Sequence, residues 1–148
     1  MPKLPVCVDA NIVVIMVAPE ELRSLALSLW QSWLAQEREI VAPRLFTYEV
    51  TSALRRKVVR HLLTLEEARD ALLAALEMKV TLLDPPNLSQ QAFDLAARFN
   101  RPAAYDAHYL ALADQLQCLF WTADERLYNA IHEDYPRIHW LGNYQPEP

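Results

Sequence analysis

Four carboxylates, Asp9, Glu49, Asp106 and Asp124, stand in the frames VCVDAN, LFTYEVTSALRRK, AAYDAHYLALAD and LFWTADERL. Each sits where an apolar strand-like run ends or a helical pattern begins. With 19 acidic residues among 148, one acid carries little information, so the reading rests on the order, spacing and setting of all four. Carboxylates that converge without lysine or arginine among them repel, and such a set generally needs a cation; oxygen-only ligation suits Mg²⁺ or Mn²⁺. The chemistry open to such a set is metal-assisted hydrolysis of a phosphodiester. Asn11 and Thr122 add neutral oxygens on the same rim, able to orient a carboxylate or a hydrating water. Their simpler role is turn and strand-end hydrogen bonding.

Each acid also has a plainer reading. Glu49 and Asp106 are anions near helix starts, where the backbone dipole favours negative charge. Asp124 is placed to cap a helix through the Leu127 N–H, and Asp9 opens the turn-forming triplet Asp-Ala-Asn.

The elements that must position these residues follow from periodicity. Residues 5–9 form a short apolar strand feeding a turn. Residues 20–36 carry Leu22, Leu25, Ala26, Leu29, Trp33 and Leu34 at helical spacing. Residues 39–42 read as a second strand stopped by Pro43, and residues 45–62 as a helix with Leu54 and Val58 on its apolar stripe. Thr64 and Glu67 form a capping-box signature opening a helix to Met78. Residues 80–83 are a third strand, 88–99 and 105–116 two amphipathic helices parted by Asn-Arg-Pro, and 118–122 a fourth strand. Residues 124–131 read as a short helix and 138–141 as a fifth, edge strand. Strands alternating with helices imply an α/β fold, a mostly parallel sheet covered on both faces. Ligands gather at the carboxyl ends of such strands, where strand order reverses, and Asp9 and Asp124 share that rim.

One domain over residues 1–144 with a short Pro-rich tail at 145–148 is the expectation at this length, with 53% hydrophobic residues. A net charge of −5 argues against nonspecific coating of nucleic acid, while a local basic patch or bound cations still admit phosphate. No signal-peptide pattern and no apolar stretch near the ~20 residues of a membrane span are present, so the chain is expected to be soluble and cytoplasmic. Cys7 and Cys118, in apolar segments without metal-ligand spacing, are expected to be packing thiols. The single glycine, Gly142, excludes a Gly-rich phosphate loop.

Together the frames V-D-A-N, Y-E-V, Y-D-A and T-A-D-E-R-L resemble the PIN domain, and the run Y-D-A-x-Y-L-A-L-A with the overall length resembles its VapC-type toxin branch. The resemblance spans nearly the whole chain. It implies a single-domain three-layer α/β/α sandwich with a four- to five-stranded, mostly parallel sheet and a Mg²⁺- or Mn²⁺-dependent endoribonuclease that leaves a 5′ phosphate. It further implies frequent homodimers and a small antitoxin whose tail fills the acidic groove. Asp9, Glu49, Asp106 and Asp124 match the four acids in order, Thr122 the hydroxyl position before the last, and Asn11 the position often held by Ser, Thr or Asn. Asp9, Asp106 and Asp124 are expected as direct or water-bridged ligands, with Glu49 on a second metal or orienting the attacking water. His108 departs from the usual apolar or aromatic residue. Lying about 200° around the helix from Asp106, it is expected to face away from the metals.

Positive charge for RNA is concentrated in Arg55, Arg56, Lys57 and Arg60, with Arg44 upstream. Arg56 and Arg60 fall within roughly 20° of the Glu49 direction on a helix, placing them to lead a phosphate backbone toward the acids. The same charges equally suit a solvated face or an acidic partner. Trp30 and Trp33 are expected to be mostly core, with a partner groove as the other reading. Haloacid dehalogenase and receiver-type phosphotransfer are disfavoured, because Asn11 replaces a needed Asp and the last lysine is Lys79. The remaining rival is a non-catalytic PIN-like module that binds RNA or protein.

Overall fold

The computed structural model describes residues 3–148. Five parallel strands form one sheet: β1 (Val6–Val8), β2 (Ile40–Pro43), β3 (Thr81–Leu83), β4 (Leu119–Thr122) and β5 (Ile138–Trp140), in the order β3-β2-β1-β4-β5. Helices flank it in a three-layer α/β/α arrangement: α1 (Ala10–Val17), α2 (Arg23–Ala35), α3 (Leu45–Val59), α4 (Leu65–Glu77), α5 (Leu88–Arg98), α6 (Tyr105–Leu116) and α7 (Glu125–Ile131). A 3-10 turn over Leu141–Asn143 follows β5, and residues 145–148 have no regular secondary structure.

Strand order places the site. From β1 the chain builds outward through β2 to β3, then returns to the other side of β1 as β4. The reversal falls between β1 and β4, whose carboxyl ends part to leave the crevice of a doubly wound sheet. Cys7 pairs with Phe120 and Val8 with Trp121, so Asp9 and Thr122 emerge side by side.

β1 is buried throughout, which explains its unbroken apolar run Val-Cys-Val. α6 lies across β1, β2 and β4 with α5 outside it. Six of its residues, Ala107 and Tyr109 to Ala113, are buried, and the alanines allow close approach to the sheet. The α4 capping box is formed as expected, Thr64 Oγ1 accepting from the Glu67 N–H at 3.1 Å and Glu67 Oε1 from the Thr64 N–H at 2.8 Å. Trp30 and Trp33 are core, and Cys7 and Cys118 are buried free thiols, as their settings predict.

The main correction is α1. Residues after Asp9 were expected to turn, yet ANIVVIMV is helical, with Ala10, Ile12, Val13, Val14 and Met16 buried. Packed against α2, α3 and α4 it has almost no polar face, so no amphipathic period marks it, and its β-branched residues mimic a strand. Pro43 closes β2 from within, paired with Leu83, where a strand terminus tolerates a missing donor. α3 ends at Val59, before Leu62.

Candidate active site at the carboxyl end of the sheet

Tyrosines aside, the buried polar side chains among the described residues are Asp9 and Thr122, and they touch. The Thr122 hydroxyl donates to Asp9 Oδ2 at 2.9 Å and accepts from Asn11 Nδ2 at 3.2 Å and from the Asp124 N–H at 3.0 Å. One proton and two lone pairs are thereby all used. The hydroxyl is a fixed joint joining three site residues, with no lone pair left for a metal. Asn11 completes the joint, its Oδ1 accepting from the Ala123 N–H at 2.9 Å. The turn after β4 is thus clamped onto the start of α1.

Asp124 does cap α7, Oδ1 accepting from the Leu127 N–H at 3.1 Å. Capping occupies one carboxylate oxygen and leaves Oδ2 for another partner, so the plain reading and a site role are compatible. Asp106 lies in the first turn of α6, as expected. Glu49 does not lie in the first turn of α3: it is the fifth residue of that helix, too far along for the dipole to explain it. It is half-buried instead, and Oε1 accepts from the hydroxyl of the buried Tyr109 at 2.7 Å.

Burial and proximity show in the ionisation of these acids. Burial, then the charges of Asp106 and Glu49, push Asp9 up to about 8, against weaker help from Thr122 and the Asn11 backbone. Glu49 is raised chiefly by burial, with the Tyr109 hydrogen bond opposing. Asp106 is raised by burial and then by Asp124, with Arg101 opposing. Asp106 is thus in electrostatic reach of Asp9, Glu49 and Asp124, and Asp9 of Glu49.

The cluster is not free of cations, contrary to expectation. Arg101 Nη2 lies 3.8 Å from Asp106 Oδ2, and Arg56 stands close enough to lower the Glu49 pKa. Sequence reading treated Asn-Arg-Pro only as a helix breaker, and Tyr109 only as part of a motif. Arg56 donates to Ser52 Oγ at 3.1 Å, one turn back on α3. Arg60 is exposed at the end of α3, Arg44 pairs loosely with Asp84 at 3.8 Å, and Lys57 pairs with Glu20. His108 is engaged by Ala104 O at 2.6 Å and Ser89 Oγ at 3.3 Å, so packing occupies both ring nitrogens, although its charge is within reach of Glu49.

Among the described residues no three carboxylate, imidazole or thiol groups form a ready-made metal cage. The acids offer oxygen donors alone, which suit a hard divalent cation that keeps part of its water shell. Asp9 is buried near two other carboxylates, a setting that opposes its ionisation and that a bound cation would relieve.

The family model described as PIN domain matches residues 6–132. Ribonuclease VapC9 of Mycobacterium tuberculosis is 35% identical over 98 residues, covering 62% of this chain and 75% of the relative. Among solved structures, a toxin-antitoxin complex from Klebsiella pneumoniae superposes with a TM-score of 0.65 at 12% identity, covering 92% of this chain and 97% of that one. Mycobacterium tuberculosis VapC20, a sarcin-ricin loop cleaving toxin, gives 0.64 at 16% identity over 85% and 95%.

Proposed function

The chain belongs to the PIN domain family, and from that premise we propose that it is a metal-dependent endoribonuclease, the toxin of a toxin and antitoxin pair. The observation that carries the reading is Asp9, buried at the strand-order reversal, held by Thr122 and within electrostatic reach of Asp106 and Glu49. Divalent-metal dependence is general in the family. We assign Mg²⁺, with Mn²⁺ as substitute, to Asp9, Asp106 and Asp124, with Glu49 on a second ion or on the attacking water. When bound, the cation supplies Lewis acidity to phosphate and water and offsets the charge gathered by the acids.

The side chains do the rest. Thr122 and Asn11 fix the Asp9 carboxylate and the turn bearing Asp124, so the acids need little rearrangement. Tyr109 holds Glu49 Oε1 and leaves Oε2 to accept a proton or orient water. Arg56, Arg60 and Arg44 line the approach for the RNA backbone, with Arg44 having to leave Asp84.

A protein partner has a surface to meet. Trp30 and Trp33 are buried and cannot form the groove, but Val59, Leu62, Leu65, Leu73 and Leu76 of the α3–α4 hairpin are all more than half exposed. That face is our assignment for antitoxin or homodimer contact. No helix among the described residues is long and apolar enough to cross a membrane, and the proposed setting is the cytoplasm.

The test is incubation of total cellular RNA with purified protein and Mg²⁺ or Mn²⁺, beside EDTA and an Asp9→Asn, Asp106→Asn double variant. Discrete metal-dependent fragments with 5′ phosphates support the proposal. RNA retained but uncut by the folded protein supports the non-catalytic module, a reading favoured only by the lack of a ready-made metal cage among the described residues.

A further inference from the structure

The loop between α5 and α6 carries a guanidinium into the acid cleft on a rigid support. Asn100 takes a left-handed φ of 52°, its N–H bonding Ala97 O at 3.2 Å while the Arg101 N–H bonds Ala96 O at 2.8 Å. This pair of bonds is the Schellman closure of a helix end, and asparagine tolerates the left-handed position better than most residues. Pro102 follows with its φ fixed by the ring. The side chain of Arg101 is 24% exposed and faces Asp106 across a cleft of about 180 Å³ that Glu49 and Tyr105 also line. At 3.8 Å the contact is an ion pair and not a hydrogen bond, so the donors of the guanidinium fork remain available.

Resting on the ribonuclease reading above, we propose that Arg101 is a phosphate-binding residue, serving as counter-ion to Asp106 until a divalent cation takes that carboxylate, and then engaging an RNA phosphate. A cation on Asp106 repels the guanidinium and supplies the charge it had provided. A phosphate entering the cleft attracts it, and the planar fork matches two phosphate oxygens in a way a lysine cannot. Arg101 therefore competes with the metal in the free protein and cooperates with it once RNA is bound. The two roles predict effects of opposite sign on removing the side chain, whereas a merely structural arginine would weaken both metal binding and cleavage.

The experiment measures Mn²⁺ affinity by calorimetry without RNA, and RNA cleavage at saturating Mn²⁺, for wild type, Arg101→Gln and Arg101→Lys. Arg101→Gln is expected to bind Mn²⁺ about 5-fold more tightly or better. Its cleavage should fall by roughly 100-fold, the scale of losing one donor to a developing oxyanion. Arg101→Lys keeps the charge, so its Mn²⁺ affinity should stay near wild type and its cleavage fall between the other two. Unchanged or weaker Mn²⁺ binding by Arg101→Gln, or unchanged cleavage, overturns the proposal while an active wild type leaves the ribonuclease reading standing. A wild type that neither binds Mn²⁺ nor cuts RNA overturns that reading, and this proposal with it.

Discussion

Replacing Asp9 by asparagine should stabilise the metal-free protein, and only at neutral to alkaline pH. The carboxyl keeps its proton to about pH 8 in the folded chain, against an ordinary value of 3.8. Below pH 3.8 folded and unfolded chains both hold the proton, and Asp9 imposes no ionisation penalty. Between pH 3.8 and about 8 the unfolded chain releases the proton and the folded chain retains it, so stability falls as pH rises. Above that window the folded protein carries the full cost of a buried carboxylate beside Asp106 and Glu49. The shift of about 4 units, at about 1.4 kcal/mol each, sets a ceiling on the order of 5 kcal/mol. The amide oxygen introduced by Asp9→Asn would still accept from Thr122, but the side chain would carry no charge. Urea unfolding in EDTA at about pH 4, 7 and 8.5 should show the variant's advantage growing with pH to several kcal/mol and nearly vanishing at the acid end. Excess Mn²⁺ should narrow this gap, since the wild type gains about 2.7 kcal/mol for metal at about a hundred times its dissociation constant. A variant no more stable than wild type at the alkaline end in EDTA would refute the reasoning that Asp9 is a strained, cation-seeking carboxylate.

Other consequences follow from the same contacts. Thr122→Val leaves Asn11 Nδ2, the Asp124 N–H and Asp9 Oδ2 without their shared partner, and should cost about 2–3 kcal/mol by urea unfolding, with Thr122→Ser close to wild type. Tyr109→Phe removes the hydrogen bond that restrains the Glu49 pKa, so the pH at which cleavage switches on should move upward, as a pH–rate profile would show. Asn100→Val should cost about 1–2 kcal/mol in thermal unfolding because of the left-handed backbone at that position, and Asn100→Gly should be tolerated.

The sheet and most helices were legible because their signals are local. The apolar runs at Val6–Val8 and Leu119–Thr122, the Thr64–Glu67 capping box and the breaker Pro102 each act on their own neighbourhood. Asp9, Asp106 and Asp124 fall where strand ends and helix starts mark them. α1 was not, since a helix buried on nearly every side has no polar period to detect. Arg101 and Tyr109 were missed for another reason. A hydroxyl 60 positions from Glu49 leaves no trace in spacing, and Arg101 meets Asp106 through a loop whose course depends on tertiary packing. One signal was available: asparagine just past a helix end marks a left-handed closure, which would have fixed where the Arg101 backbone sits. Glu49 was placed too near its helix start, although its apolar neighbours already set the helix beginning at Leu45.

On the proposed function, these carboxylates cut RNA with the help of a divalent cation. Its most direct test is the rate of scission of an end-labelled RNA against Mg²⁺ concentration, for folded wild type and Asp106→Asn, with an EDTA baseline. The expected rate saturates with Mg²⁺ in wild type, falls to baseline in EDTA, and is reduced at least about 100-fold in the variant. Scission that persists in EDTA, or that Asp106→Asn leaves unchanged, would contradict it.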